Sequence, residues 1–327
     1  MMKKRFISLQ ILRVCACILV FCVHFGQRVN FHGVIRDFTD FGKYGVQLFF
    51  LISGFLVGNT FFDNPSINIK NYYVKRMVAI LPLYYLVILY YFISENILNQ
   101  YFSVIPSDHL GIGWFRYVFL LNGFLNSDTY FWSNLGITWT IPIFMFFYLI
   151  APWMLRKAKT ISSVSAIWLF VYATSKICEY FYSCTITNNL HILFLGVVIY
   201  ACANKKCHLK AIAIFSLLAI FMEILGNQSM VYISLFSCII LALTALENIK
   251  LSEWLQRIID TLDKYSYTLY LMHGVVFCSL LDRLNTLGVS KTLIGVIAIV
   301  GTFVATWVVG RFVEQPIQRY LRKRFVQ

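Results

Sequence analysis

Ten long apolar stretches recur along this chain, at residues 7–27, 42–62, 77–94, 137–155, 162–178, 189–203, 210–226, 229–246, 265–282 and 290–312. Roughly 20 apolar residues carry an α-helix across the hydrocarbon core of a bilayer. Inside that core each backbone amide needs a partner within its own segment, which favours helix. Hydrophobic residues make up 59% of the 327 and charged residues 13%, more apolar surface than one soluble globule of this size can hide. The chain is therefore predicted to be all-α, a single polytopic domain over 1–327 with about ten transmembrane helices and the lipid bilayer as its solvent. No internal repeat, low-complexity stretch or separate soluble domain interrupts the pattern.

The formal charge of +14 fits membrane orientation better than nucleic-acid binding, because the basic residues sit in short clusters between apolar runs. Of the 28 Lys and Arg, twenty fall on alternate connections: Lys3, Lys4, Arg5; Lys70, Lys75, Arg76; Arg156, Lys157, Lys159; Lys205, Lys206, Lys210; Lys250, Arg257, Lys264; and Arg311, Arg319, Arg322, Lys323, Arg324. The other face and its helix ends hold seven, namely Arg28, Arg36, Lys43, Arg116, Lys176, Arg283 and Lys291. The richer side is assigned to the cytoplasm, and an even number of spans puts both termini there. A multi-pass protein of the cell (inner or plasma) membrane follows. Met1 to Arg5 followed by an apolar run is like a signal peptide. No small-residue cleavage site follows, however, and the run holds Arg13 and His24, so a retained first helix is expected.

The nine cysteines show no zinc-site spacing and no metal is expected, although Cys178 and Cys184 are placed for an outer-face disulfide. The longest outer connection, about 95–136, contains Trp114 to Phe124, apolar but too short to span, which suggests an interfacial or re-entrant helix.

Ionisable groups at membrane depth are costly and usually functional. Arg13 and His24 are 11 residues apart; at about 100° per residue they share one helix face, separated along the axis by about 16 Å. Such a stripe offers a fixed cation toward the cytoplasmic leaflet and a titratable base toward the outer one. The plainer alternatives, a snorkelling arginine and a histidine satisfying an interfacial hydrogen bond, stay open. In the ninth segment Ser266, Tyr270 and His273 recur at i, i+4 and i+7 and line one face, directed to a cavity or to a neighbouring helix. Few of the 14 acidic residues fall within the spans or at their ends; Glu223 is one, and Glu314, at the inner boundary, is expected to pair with Arg311. Gly45, Ser53, Gly54 and Gly58 suggest close helix packing.

Together these residues resemble the acyltransferase-3 family of integral membrane acyltransferases. The likeness rests on Leu12-Arg13 with His24, on Gly45 to Phe55 (GVQLFFLISGF), on Lys75-Arg76 with Leu81-Pro82-Leu83-Tyr84, on Trp139-Thr140-Ile141 with Phe147-Tyr148 and Pro152, and on Ser266 to His273 followed by Val313 to Ile317. It implies acyl transfer, often acetyl, from cytoplasmic acyl-CoA to a carbohydrate: a surface polysaccharide, lipopolysaccharide or lipid-linked glycan. It also implies that His24 is the essential histidine and Arg13 its partner near the donor. Lys75, Arg76 and Arg156 are then expected at the coenzyme A phosphates, and Tyr270, His273, Ser266 and Trp139 around the substrate cavity. Three positions depart from the family pattern: Gln10 for an aspartate, Ala79 for the second arginine of an R-x-x-R pair, and Phe144 for a glutamate. A flippase for a lipid-linked sugar, or a non-catalytic relative in a glycan assembly complex, is the alternative reading.

Overall fold

The computed structural model describes residues 6–29, 32–62, 67–94, 114–124, 135–246, 251–277, 280, 284 and 287–326. Helix occupies each of the ten expected segments within them. In chain order these are α1 (Ile7–Val29), α2 (Val34–Phe41) running through a 3-10 turn into α3 (Gly45–Phe61), and α4 (Ile69–Ile93). After the short α5 (Trp114–Val118) come α6 (Thr140–Leu155), α7 (Ile161–Phe181), α8 (Thr185–Asn204), α9 (His208–Ile224) and α10 (Gln228–Ala245). The chain closes with α11 (Glu253–Lys264), α12 (Ser266–Val276), α13 (Lys291–Val309) and α14 (Gln315–Phe325). Among the described residues eight helical stretches are long and apolar enough to cross a membrane, while α9, at 17 residues, and α12, at 11, are shorter. This is a polytopic all-α membrane bundle.

Polar side chains set several helix starts by satisfying orphan amides. Asn68 accepts from the Asn71 amide at 3.0 Å ahead of α4. Thr160 and Ser163 form a reciprocal capping box ahead of α7, and Asn227 accepts from Met230 at 3.2 Å ahead of α10. The Asn68 cap starts α4 eight residues before the apolar run that marked it (69 against 77), so Lys75 and Arg76 lie on a helix rather than in a loop.

The expected role of the small residues in α3 is visible in its packing. A Cβ at Gly54 would stand 1.8 Å from the Leu193 carbonyl oxygen, and one at Gly196 would stand 2.2 Å from that of Leu51. The α3 and α8 backbones therefore touch at this crossing. Most of α8 is buried on every side, with Leu193, Phe194 and Ile199 at the centre of the bundle. Helix α9 exposes Ile214, Leu217 and Ile220, an apolar surface suited to lipid.

Two expectations are corrected here. Cys178 and Cys184 are free thiols. Cys184 instead starts α8, its amide donating to the Thr187 hydroxyl at 3.1 Å. The second correction concerns Glu314: it does not pair with Arg311, which stacks over Trp307 and Phe312 while Glu314 faces inward. The π turn Gly310–Glu314 separates them by adding a residue to the helical turn. Of the outer connection, residues 95–113 and 125–134 lie outside the described residues. Trp114–Val118 and Leu121–Phe124 form one short helix and one 3-10 turn, neither long enough to span.

Candidate active site

Helix α1 lies alongside α11 and α12 in nearly constant register. Arg13 meets Asp263, the Cys17 thiol meets the Ser266 carbonyl, the His24 ring meets that of His273, and Phe25 meets Phe277. The stripe read from the first helix thus faces one partner along its whole length. Arg13 and His24 project from the same face into the bundle rather than toward lipid.

Beside the Arg13 end of this contact lies a cavity of about 560 Å³. Arg13, Arg76, Lys264 and Arg322 line it with Asp263 and Glu314, and its apolar wall includes Val46, Phe49, Leu56, Ile80 and Phe144. Arg76, Lys264 and Arg322 come from connections or helix ends assigned to the cytoplasmic face, and Arg13 from the inner half of α1. The Thr140 hydroxyl and the Tyr270 phenol, 2.9 Å apart, also line it.

The lower wall is a polar lattice. Arg13 Nη1 donates to Asp263 at 2.7 Å, with side-chain exposures of 27% and 13%. Gln10 spans the same helix, donating to Asp263 at 3.2 Å and to Asp260 at 3.3 Å. These carboxylates belong to α11, a segment that hydropathy leaves as a loop. Its amphipathic spacing, Gln256, Asp260 and Asp263 at i, i+4 and i+7, was the available signal. Nearby, Pro82 interrupts the α4 hydrogen-bond ladder, and two carbonyls in the preceding turn accept from side chains. Tyr267 donates to Ile80 at 2.9 Å and Gln318 to Ala79 at 3.3 Å.

Of the donor-binding residues expected from sequence, the cavity receives only Arg76. Its guanidinium lies 4.8 Å from the Tyr148 ring centroid and 5.6 Å from that of Tyr72. Lys75 is exposed on the other side of α4, since neighbouring helical residues diverge by about 100°. Arg156 is exposed beyond the end of α6. Neither is among the described lining residues.

Of the α12 stripe, Ser266 and Tyr270 line the cavity. The Ser266 hydroxyl donates to the Asp263 carbonyl at 2.8 Å, and the Tyr270 phenol also donates to the Ile137 carbonyl. His273, 1% exposed, sits one layer beyond, its ring centroid 5.7 Å from that of Tyr270 and 5.3 Å from that of His24. Its Nδ1 lies 3.2 Å from the Leu269 carbonyl, and its buried Nε2 has no hydrogen-bond partner among the described residues. A carbonyl beside Nδ1 holds the hydrogen there and leaves Nε2 an acceptor. His24 Nδ1 lies 3.2 Å from the Gln27 amide oxygen, which makes Nε2 the basic nitrogen by the same argument. Neither histidine is among the described lining residues. Trp139 is likewise outside the lining and packs edge-on against Phe50. Glu314, 4% exposed, accepts from the Thr268 hydroxyl and, at 2.9 Å, from Gln318.

The family model described as an acyltransferase domain, acyltransferase-3, matches residues 6–311, nearly the whole chain. The chain belongs to the acyltransferase-3 family. No curated protein and no solved structure matches it. It is accordingly a multi-pass membrane protein of an acyltransferase family. The acyltransferase-3 departures seen in the sequence cluster around this one cavity: Ala79 and Phe144 line it, and Gln10 bonds the aspartate that holds Arg13. The residues that sequence reasoning missed, Asp263, Lys264, Gln318 and Arg322, also come to the cavity, all from segments outside the expected spans.

Proposed function

We propose that the protein is an O-acyltransferase of the cell membrane. It moves an acyl group, acetyl in the simplest case, from acyl-CoA on the cytoplasmic side to a hydroxyl of an extracytoplasmic or lipid-linked sugar. The acceptor belongs to a surface polysaccharide, a lipopolysaccharide or a lipid-linked glycan. The observation that carries this reading is the axial order of groups along α1 and α12: a cavity bearing arginines, then the Thr140–Tyr270 pair, then the stacked His273 and His24.

The coenzyme A portion enters among the cations, and its pantetheine arm runs along the apolar wall toward Tyr270. The sugar approaches from the outer side. His24 Nε2 removes the hydroxyl proton as that oxygen bonds to the thioester carbonyl carbon. The carbon–sulfur bond then breaks, and coenzyme A leaves as a thiolate that takes up the proton His24 removed, returning the imidazole to its neutral form. His273, packed on His24, holds the ring in place. Holding both substrates at one junction supplies much of the acceleration by proximity.

Cells or vesicles given acyl-labelled acyl-CoA are expected to transfer label to the glycan, whereas a flippase would move the glycan unlabelled. His24→Ala is expected to lower transfer by about 10²–10⁴-fold, the usual contribution of a general base, at unchanged protein level. Undiminished labelling in that variant overturns the role of His24.

A further inference from the structure

We infer that Arg322, with Lys264, completes the grip on the donor's phosphates, taking the place that the sequence assigned to Lys75 and Arg156. The inference rests on the acyl-CoA reading above and names the groups that recognise it.

Four cations reach the cavity, and they are not equivalent. Arg13 is engaged by Asp263 at 2.7 Å. Arg76 is oriented by its stacking on Tyr72 and Tyr148. Arg322 is tied to α4 through a relay: its Nη2 donates to the Gln318 oxygen at 3.2 Å, and the Gln318 nitrogen donates to the Ala79 carbonyl at 3.3 Å. A guanidinium from α14 is thus anchored one turn along α4 from Arg76, beside the small side chain of Ala79. Lys264, at the end of α11, lines the same space, and both Arg322 and Lys264 act electrostatically on Glu314.

A donor with a pyrophosphate and a separate ribose phosphate needs several cations around one mouth, with forked guanidinium geometry where possible. Arg76, Lys264 and Arg322 supply this from three different helices. Arg319, one turn earlier on α14, is the internal contrast: it bonds the Gln315 carbonyl at 3.3 Å and is not among the described lining residues. A lipid headgroup phosphate shares the same chemistry, so the test has to separate the two sources.

The experiment is titration of coenzyme A onto the purified full chain in phosphatidylcholine nanodiscs, followed calorimetrically. The wild type is expected to bind coenzyme A, and Arg322→Ala to bind it about tenfold more weakly, roughly one charge-assisted contact. Arg322→Lys is expected to recover part of the loss, and Arg319→Ala to stay within about twofold of wild type. If wild-type protein shows no coenzyme A binding, the donor reading itself fails. If it binds and Arg322→Ala is unchanged, or Arg319→Ala loses as much, this inference fails while the donor reading stands. Repeating the titration with phosphatidylglycerol in the nanodisc identifies the occupant. Unchanged affinity supports the donor, and abolished binding assigns the site to lipid phosphate and overturns the inference.

Discussion

Removing Asp263 should destabilise the protein through Arg13, and the size of the effect follows from the geometry. The two side chains meet at 2.7 Å and are 13% and 27% exposed, so the pair is largely desolvated. Removing one member of a fully buried pair costs about 3–5 kcal/mol, because the remaining charge stays behind unpaired. Partial exposure of Arg13 lets water enter, which reduces the expected loss for Asp263→Ala to about 2–3 kcal/mol. Gln10 keeps its contact with Asp260, so the wall does not lose every tie between α1 and α11. Arg13→Met alone is expected to be milder, since Asp263 retains Gln10 as a donor. The double variant should recover much of the Asp263→Ala loss, giving a coupling of about 2 kcal/mol in a double-mutant cycle. The assay is reversible denaturant unfolding of detergent-solubilised protein, followed by tryptophan fluorescence. A coupling below about 0.5 kcal/mol would show that Arg13 has other support, and the reasoning would be wrong.

Two further substitutions test the frame around the site. Gly54→Val places a side chain where the Leu193 carbonyl already stands 1.8 Å from a hypothetical Cβ, so overpacking should cost about 3 kcal/mol or more. It should show as lost folded yield in size-exclusion chromatography, and wild-type yield would contradict backbone contact between α3 and α8. Tyr270→Phe removes the hydroxyl that bonds Thr140 and the Ile137 carbonyl, a loss of about 1–2 kcal/mol in the same unfolding assay. No measurable loss would mean that the phenol is not holding the cavity's inner end.

The helical segments and the Arg13–His24 stripe were legible because both depend on local order. An apolar run long enough for the bilayer becomes a helix whatever its neighbours, and residues 11 apart on a helix share a face without reference to anything else. The small residues of α3 were legible for a related reason, since a missing side chain permits close approach wherever a partner exists. Lys75 shows where local order misleads. Adjacent to Arg76 in a basic cluster, it belongs to the same cytoplasmic charge but points away from the cavity once the Asn68 cap draws both residues into α4.

The partners of the stripe were decided by tertiary structure alone. Asp263 and Arg322 lie in polar segments with no span of their own, and hydropathy treats such segments as connections. They reach the cavity because α11 lies along α1 and because the π turn and Gln318 fasten α14 to α4. The stacking of His24 on His273 joins residues 249 positions apart, set by how helices pack side by side. Hydrophobicity determines that each helix enters the membrane, but lipid solvates every apolar face almost equally, so which faces meet is left to close packing and to the few polar bonds between helices.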